Sequence, residues 1–562
     1  MPCRWKIDET PLPPNIGRMA EDLSISSVLA GVLYRRGLAS ARDMDFFLSP
    51  HLRYLCKPAS VPGMAEACAA VARAVEQGRR IAVWGDYDVD GVTSTALLVS
   101  FFRARGVDVL GRLPNRLKEG YGLNVDGLRF LAEAGVQTVV TVDCGITNHQ
   151  EVAAARDMGL QMVVTDHHLP GEEPLQAEAV CNPRLGDCPC PDLAGVGVAF
   201  MLAGALNSQL PGDPMDLREL LDLVALGTIA DVVPLTGHNR ILVKNGLLLL
   251  KSPKRPGVLA LKEAAGYNAH APLGAGQVAF GLAPRINAAG RLEDPNLALD
   301  LLLAPDLDTA RPLAAKLDEL NSRRRSQEDA MLGQALEQAK TQNGRLGLVL
   351  YQEDWHHGVL GIVASRVVER LYKPVILLAA KDGRMSGSGR SIAEFDLHRG
   401  LTDAADLLTK FGGHRQAAGL SLAPERFEEL RERFHQAVTQ QVGPEALKPT
   451  LRLDQALGFE SADAVLLREM ELLQPFGMGN PEPVFSSPPV EVLRYRVFGK
   501  DHVGLDLKDT VSGRILQAKA WRMAGELTRA SLSPGMRFAF TPRLDTFQGT
   551  PRVELRIKDW RL

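Results

Sequence analysis

No stretch of this 562-residue sequence approaches the roughly 18 apolar residues that a membrane-spanning helix needs. The opening MPCRWKID also lacks the apolar core of a signal peptide, so a cytoplasmic address with no membrane partner is the expectation. Cysteine is sparse: seven residues, an odd number, are spread through a large chain. That argues against a disulfide framework and fits a reducing compartment. Cys181, Cys188 and Cys190 form no C-x-x-C pair and have no fourth ligand at zinc spacing, so the sequence gives little ground for a zinc site among them. Internal repeats and low-complexity tracts are missing too. The chain is too long for one hydrophobic core, which predicts about three or four domains. Its 45% apolar and 23% charged content is that of an ordinary soluble protein.

A net charge of −3 conceals an asymmetry. From Arg494 to Leu562 fourteen Lys/Arg stand against seven Asp/Glu, so this segment carries +7 and the remainder −10. A basic terminal module on an acidic body predicts a phosphate-bearing polymer as partner.

After an N-terminal region of short helical patterns, residues 80–240 alternate helical periodicity with the apolar runs IAVWGD, VDVLGRLP, TVVTVDCG and MVVTDHH. This is the rhythm of a parallel α/β sheet, whose ligands bind beyond the carboxyl ends of the strands. Residues 306–343 have no Pro after Pro312 and only Gly333 as an interior glycine, which predicts one long helix able to link two lobes. A second α/β pattern runs from GRLGLVLYQEDW through KPVILLAA to MSGSGRS and FGGHRQAAG. Beyond about residue 450 the short alternating runs VEVLRYRVFG, HVGLDLKD, MRFAFTPRLD and PRVELRIKDW predict a small β-barrel.

The chemistry gathers at GDYDVDG, residues 85–91. Asp86, Asp88, Asp90 and Gly91 match the opening of an EF-hand loop, but its twelfth position, which needs Glu, is Leu97, and the flanks read as strand and helix rather than two helices. Carboxylates projecting together from a strand end repel unless a cation neutralises them, so a metal site of another kind is favoured. Further clusters, all read as strand ends, are Asp143, Asp166 with His167 and His168, and Asp231 in ALGTIADVVP. Carboxylates with one or two imidazoles suit Mn²⁺ or Mg²⁺. So many carboxylates exceed the needs of one ion and predict two, the arrangement for in-line attack of water on a phosphoryl group.

VWGDYDVDG, TVDCGI, VVTDHH and GTIADVVPL occur in that order, followed by LAPRINAAGRL, EDWHHGVLGIVASR, SGSGRS, FGGHRQAAG and LLQPFGMGNPEPVF. This ordered set resembles the DHH phosphoesterase superfamily, and within it the single-strand-specific 5′→3′ DNA exonucleases of recombination and repair. The resemblance implies that Asp88 binds a first ion and Asp90 a second, that Asp143 bridges both, and that His167 and Asp231 complete the ligand shell of the second ion. Asp86 stands where distant relatives carry a metal-binding His, as a ligand or an outer partner. His168 is implied to face the scissile phosphate and, with Asp143 and Asp86, to serve catalysis. Arg285, Asn287 and Arg291 resemble a strand-contacting segment. Ser386, Ser388 and Arg390 resemble the group that holds the 5′ phosphate end, and His414 and Arg415 belong to a glycine-rich substrate motif. Arg323, Arg324 and Arg325 read as a solvated helix face.

The implied architecture is α/β throughout its catalytic part. It comprises a helical region at 1–75, a DHH catalytic domain with a parallel sheet at 76–240, and helices with the long connecting helix at 241–343. A DHH-associated α/β domain at 344–447 and an OB-fold β-barrel at 448–562 complete it. Tyr495, Phe498, Trp521, Phe538, Phe540 and Phe547 lie among the arginines of that barrel. Most are expected in its core, and a few exposed rings would stack bases. The implied partners of an expected monomer are single-stranded DNA, a helicase that feeds it ends, and a single-strand-binding protein. Two rival readings are a phosphoesterase acting on short oligonucleotides and a catalytically silent strand-binding scaffold.

Overall fold

The computed structural model describes residues 3–116, 119–120, 122–381, 383–443, 447–528, 532–545 and 551–562. The chain forms two compact units, neither continuous in sequence. The first comprises Ser49–Arg324 with Gln474–Pro481; the second comprises Met1–Leu48, Arg325–Leu473 and Glu482–Leu562. The expected long helix is present as Leu307–Thr341, and the division between the units falls within it.

In the first unit five parallel strands form one sheet: β1 (Ile81–Trp84), β2 (Val109–Arg112), β3 (Thr138–Thr141), β4 (Gln161–Thr165) and β5 (Ala179–Cys181). Their spatial order is β2-β1-β3-β4-β5. Side chains of β1 alternate between two cores, Ile81 and Val83 joining one and Ala82 and Trp84 the other. A strand buried on both faces is apolar at every position, which is why IAVW reads as a continuous run. The chain leaves β1 for β2 on one side and later returns to place β3 on the other. The crevice between the carboxyl ends of β1 and β3 is therefore the topological switch point at which such sheets bind ligands.

The segment after β1 turns into helix α1 (Val89–Ala104), and Asp88 is its N-cap, accepting from the amides of Asp90 and Gly91. Almost the whole helix is buried, as the uninterrupted TALLVSFF run requires. A Cβ on Gly91 would lie 2.3 Å from the Asp86 carbonyl oxygen, so only glycine permits so tight an entry. Helix α2 (Gly195–Leu206) and helix α3 (Leu221–Ala230) pack in the same core. Asp231 is the C-cap of α3. It was expected at a strand end; a short apolar run such as ALGTIA does not by itself separate strand from buried helix.

The second unit contains a mixed five-stranded sheet and a barrel. In the sheet, Leu348–Tyr351 pairs in parallel with Val375–Lys381, which continues antiparallel through Arg384–Arg390 and Ala417–Leu422 to Leu408–Gly413. SGSGRS is thus the body of a strand, and FGGHRQAAG is a hairpin with His414 in its turn. Neither glycine-rich stretch is a free phosphate-cradling loop. A Cβ on Gly387 would meet the Leu377 carbonyl oxygen at 1.9 Å, so that glycine serves close cross-strand packing.

The barrel strands are Val490–Phe498, His502–Asp509, Ile515–Ala520, Arg537–Asp545 and Arg552–Arg561. Ile515–Ala520 is additional to the four expected runs. A bridge between Val490 and Met536 brings the first strand back to the start of the fourth and closes the ring. Phe538 and Phe540 are in the core, Trp521 is exposed, and Phe547 lies outside the described residues. The N-terminal segment has the expected short helices but opens with a strand, Arg4–Ile7, parallel to Thr450–Leu453. Phe540 is fully buried, meeting Phe459 edge-on with ring centroids 6.0 Å apart. Phe540→Ala should cost about 3–5 kcal/mol, read as an earlier urea transition of the barrel's near-ultraviolet signal.

Candidate metal and phosphate site

Seven ionisable groups converge at the switch point. Asp86, Asp90, Asp143, Asp166 and His167 are buried, and Asp88 and Asp231 stand at their edge. His167 is the hub: its Nε2 lies 3.0 Å from Asp143 Oδ1, 3.7 Å from Asp231 Oδ2 and 3.8 Å from Asp90 Oδ2. Asp90, His167 and Asp231 thus present ligand atoms within 4.8 Å of one another, as do Asp143, Asp166, His167 and His168.

Backbone amides neutralise some of these carboxylates. Asp90 accepts from Gly195 N at 2.6 Å and Val196 N at 2.9 Å, both in the first turn of α2, where helix N-termini favour negative charge. A Cβ on Gly195 would stand 2.6 Å from Asp143 Cβ, so glycine there lets α2 approach. Asp166 accepts from the amides of Ile146, His167 and His168. It also holds His168 Nδ1 at 2.7 Å, which orients that ring. Burial opposes ionisation of Asp166, but the His168 bond and charge win and lower its pKa. The same pairing raises the pKa of His168 against its own burial. The His168 side chain is 42% exposed, in reach of an incoming group.

Other carboxyls are not so compensated. Burial, then the charge of Asp88, holds Asp86 well above the ordinary range. Burial followed by Asp90, Asp88 and Asp231 does the same to Asp143. Asp90 is pushed up to about 7 by burial and Asp88, and Asp231 to about 9 by burial, Asp90 and Asp88. His167 is driven down to about 4 by burial and by His168, leaving the neutral imidazole that a metal ligand must be. Asp231 Oδ2 is buried with no hydrogen-bond partner. A buried orphan oxygen beside repelling carboxylates and a neutral imidazole is a donor set fitted to hard divalent cations.

A basic border adjoins the carboxylates. Arg291 is lowered to about 10 by burial and by repulsion from Arg116 and Arg324, and is drawn the other way by Tyr87 and Asp88. Arg116 stacks over the Tyr87 ring at 5.1 Å. Arg324, read from sequence as part of a solvated face, is buried, whereas Arg323 and Arg325 are exposed. Tyr87, Arg116 and Arg324 were missed because nothing in their local sequence marks them; helix phase and chain return bring them here. Arg285 is buried and bound by Asp318 at 2.8 Å, and Asn287 is half-buried in the same helix, Ala283–Leu292.

The remaining predicted residues belong to the second unit. Ser386, Ser388 and Arg390 share one face of their strand, and Arg390 donates to Ser388 Oγ at 2.7 Å. His414 and Arg415 are exposed at the hairpin turn, with Arg415 donating to the Ala393 carbonyl oxygen.

The folded-state pKa values of about 7 for Asp90 and about 9 for Asp231 lie above those of an unfolded chain. Between pH 6.5 and 9 the folded metal-free protein therefore holds protons that the unfolded chain has released, and its stability falls as pH rises. Melting temperature measured against pH should decline over this window without metal. Saturating Mn²⁺ should flatten the decline, and Asp231→Asn should reduce it.

Three family models match the chain: the DHH family N-terminal domain over residues 80–228, the DHHA1 domain over 344–440 and the RecJ OB domain over 453–559. The single-stranded-DNA-specific exonuclease RecJ of Salmonella typhimurium is 39% identical over 554 residues, covering 94% of each chain. Its counterpart from Escherichia coli is 37% identical, over 99% of this chain and 98% of its own. Among solved structures, RecJ in complex with Mn²⁺ from Thermus thermophilus superposes with a TM-score of 0.85 at 34% identity, over 100% of this chain and 79% of that one. With full-length identity, three domains in order and the fold itself in agreement, the chain belongs to the RecJ family.

Proposed function

We propose that the chain is a single-stranded-DNA-specific exonuclease that hydrolyses phosphodiester bonds from the 5′ end, using two divalent cations, Mn²⁺ or Mg²⁺. The observation that carries this reading is the set of uncompensated buried carboxyls around the neutral His167. Such a group is stable only with protons or cations, and cations are what phosphoryl transfer uses. Asp88, Asp90, Asp143, His167 and Asp231 would hold the ions, with Asp143 shared between them and Asp86 as ligand or outer partner. Bound there, two cations supply a water nucleophile at neutral pH and offset charge on the phosphate.

The chain's own residues do the rest. His168, oriented by Asp166, which also raises its pKa, donates to a phosphoryl oxygen as charge builds in the transition state. Arg116 and Arg324 both repel Arg291, so a strand phosphate beside the metal site would offset that repulsion. Ser386, Ser388, Arg390, His414 and Arg415 are assigned to the substrate end in the second unit. On the barrel, Trp521 meets Phe498 at 5.6 Å and His502 at 4.7 Å, with Arg494, Arg496 and Arg522 exposed nearby in sequence. This is the mixture of rings and cations that holds single strands without reading bases. A helicase that exposes ends and a single-strand-binding protein are its proposed partners.

Single-stranded DNA labelled at either end tests the reading. With Mn²⁺ the 5′ label should appear first as the shortest product, and double-stranded DNA should resist. Asp143→Ala should abolish hydrolysis while leaving most DNA affinity, and near-normal turnover in saturating Mn²⁺ would sink the two-ion assignment. His168→Ala should cut turnover about 10²-fold or more with metal content unchanged. If metal content falls instead, His168 is a ligand. In the barrel, Trp521→Ala should weaken strand binding by about 1–3 kcal/mol without altering its salt dependence. Arg494→Ala with Arg496→Ala should make a plot of log affinity against log salt shallower.

A further inference from the structure

Phe280 is 79% exposed, more than any other phenylalanine among the described residues. It sits in a π-helical turn, Val278–Leu282, that runs without a break into the helix Ala283–Leu292. The cause of the wide turn is Pro284, which has no N–H for the Phe280 carbonyl oxygen one turn back and whose ring crowds that oxygen. The turn opens, and Ala283 N donates to the Val278 carbonyl oxygen. Such turns are frequent at functional sites. This one is held firmly. Arg285 Nη1 donates to the Gly281 carbonyl oxygen at 2.5 Å, and Tyr267 packs so closely that a Cβ on Gly281 would lie 2.3 Å from its Oη. Arg285 is thereby spent inside the fold, while Phe280 stands in water on a fixed backbone.

The exposed ring is one end of a stripe. From Phe280 to Arg291 only Phe280, Pro284, Asn287 and Arg291 reach solvent, and every other position is buried. Their spacing of four, three and four residues places them on one face of the helix. The other end of the stripe lies against the metal site, where a Cβ on Gly290 would stand 2.7 Å from the carbonyl oxygen of Tyr87, the residue between Asp86 and Asp88. At a rise of about 1.5 Å per residue, Phe280 is about 16 Å from Arg291 along the helix. That length matches about five nucleotides at the roughly 3.4 Å spacing of a stacked strand, and fewer in an extended one.

We propose that Phe280 is a strand-holding residue, whose ring stacks on a base of the uncleaved DNA strand within about five nucleotides of the scissile phosphate, with Asn287 and Arg291 along the track between. The proposal rests on the exonuclease reading above. An enzyme that removes nucleotides from a 5′ end has only the departing nucleotide on one side of the reacting bond, so a contact this far along the helix falls on the strand still to be cut. An exposed aromatic ring suits that place, because every base has a face to stack and the strand must pass whatever its sequence. After each cut such a contact retains the strand.

A fluorescent base analogue that is quenched by stacking, 2-aminopurine, reads the contact directly. It is placed singly at successive positions from the 5′ end of a single strand, which is then bound to metal-stripped full-length protein. Quenching should peak at one position within about five nucleotides of the end. Phe280→Ala and Phe280→Leu should lose that peak and Phe280→Tyr should keep it, with circular dichroism confirming the fold. With Mn²⁺, Phe280→Ala should raise KM about tenfold on long oligonucleotides while kcat stays unchanged, and a dinucleotide, too short to reach the ring, should show no change in either. No position-dependent quenching in the unaltered protein, or quenching that survives in Phe280→Ala or Phe280→Leu, would overturn the proposal; survival in the leucine variant alone would mark an apolar contact in place of stacking. Failure of the unaltered protein to hydrolyse single strands would sink the exonuclease reading by itself, because the quenching measurement contains no metal.

Discussion

Mutual repulsion among carboxylates that the fold will not let separate is the constraint on which the rest of this structure depends. Asp86, Asp88 and Asp90 leave one strand, Asp143 leaves its neighbour, and Asp231 arrives on a helix end. Like charges this close in a buried place shift to their protonated forms unless cations replace the protons. Elements around the site either soften that repulsion or hold the groups against it. Helix α2 aims two amides at Asp90, and Asp166 is committed to three amides and an imidazole. Asp143 and Asp231 stay largely uncompensated, which keeps their oxygens for metal.

The backbone bears part of the cost. Asp143 lies at φ +60°, in the left-handed region, and so does Val232, one residue beyond Asp231, at +62°. For residues with a Cβ this conformation costs free energy, and a β-branched valine suffers most. At Asp143 the turn aims the carboxylate back at His167; at Val232 it ends helix α3 directly after Asp231. The deep packing of the sheet, with both faces of β1 covered, supplies the stability that sustains such strain.

Each unit is assembled from distant parts of the chain. The N-terminal strand pairs with residues beyond 449, and residues 474–481 fold with the first unit, where Leu235 donates to the Met478 carbonyl oxygen. A domain division drawn along the sequence therefore differs from the physical one. The order of motifs along the sequence is compatible with both, because each motif is local.

What the sequence determined by itself was local. The apolar runs of the parallel sheet, the Asp-rich turn with its obligatory Gly91, the long helix with no proline after Pro312 and the alternating barrel strands all follow from periodicity, capping and turn chemistry, which neighbouring residues settle. Ordered motifs also pointed to the proposed ligand set. Tertiary structure alone decided what depends on the return of the chain. Asp231 reaches the site on a helix instead of a strand. SGSGRS lies flat in a sheet because Gly387 has to clear the Leu377 carbonyl. Arg324 turns inward while Arg323 and Arg325 stay in water. Cys56 comes to lie 3.4 Å, sulfur to sulfur, from Cys190, 134 positions later in the chain. A residue brought in from more than a hundred positions away leaves no local pattern, since its position is fixed by packing between elements and not by the residues on either side of it.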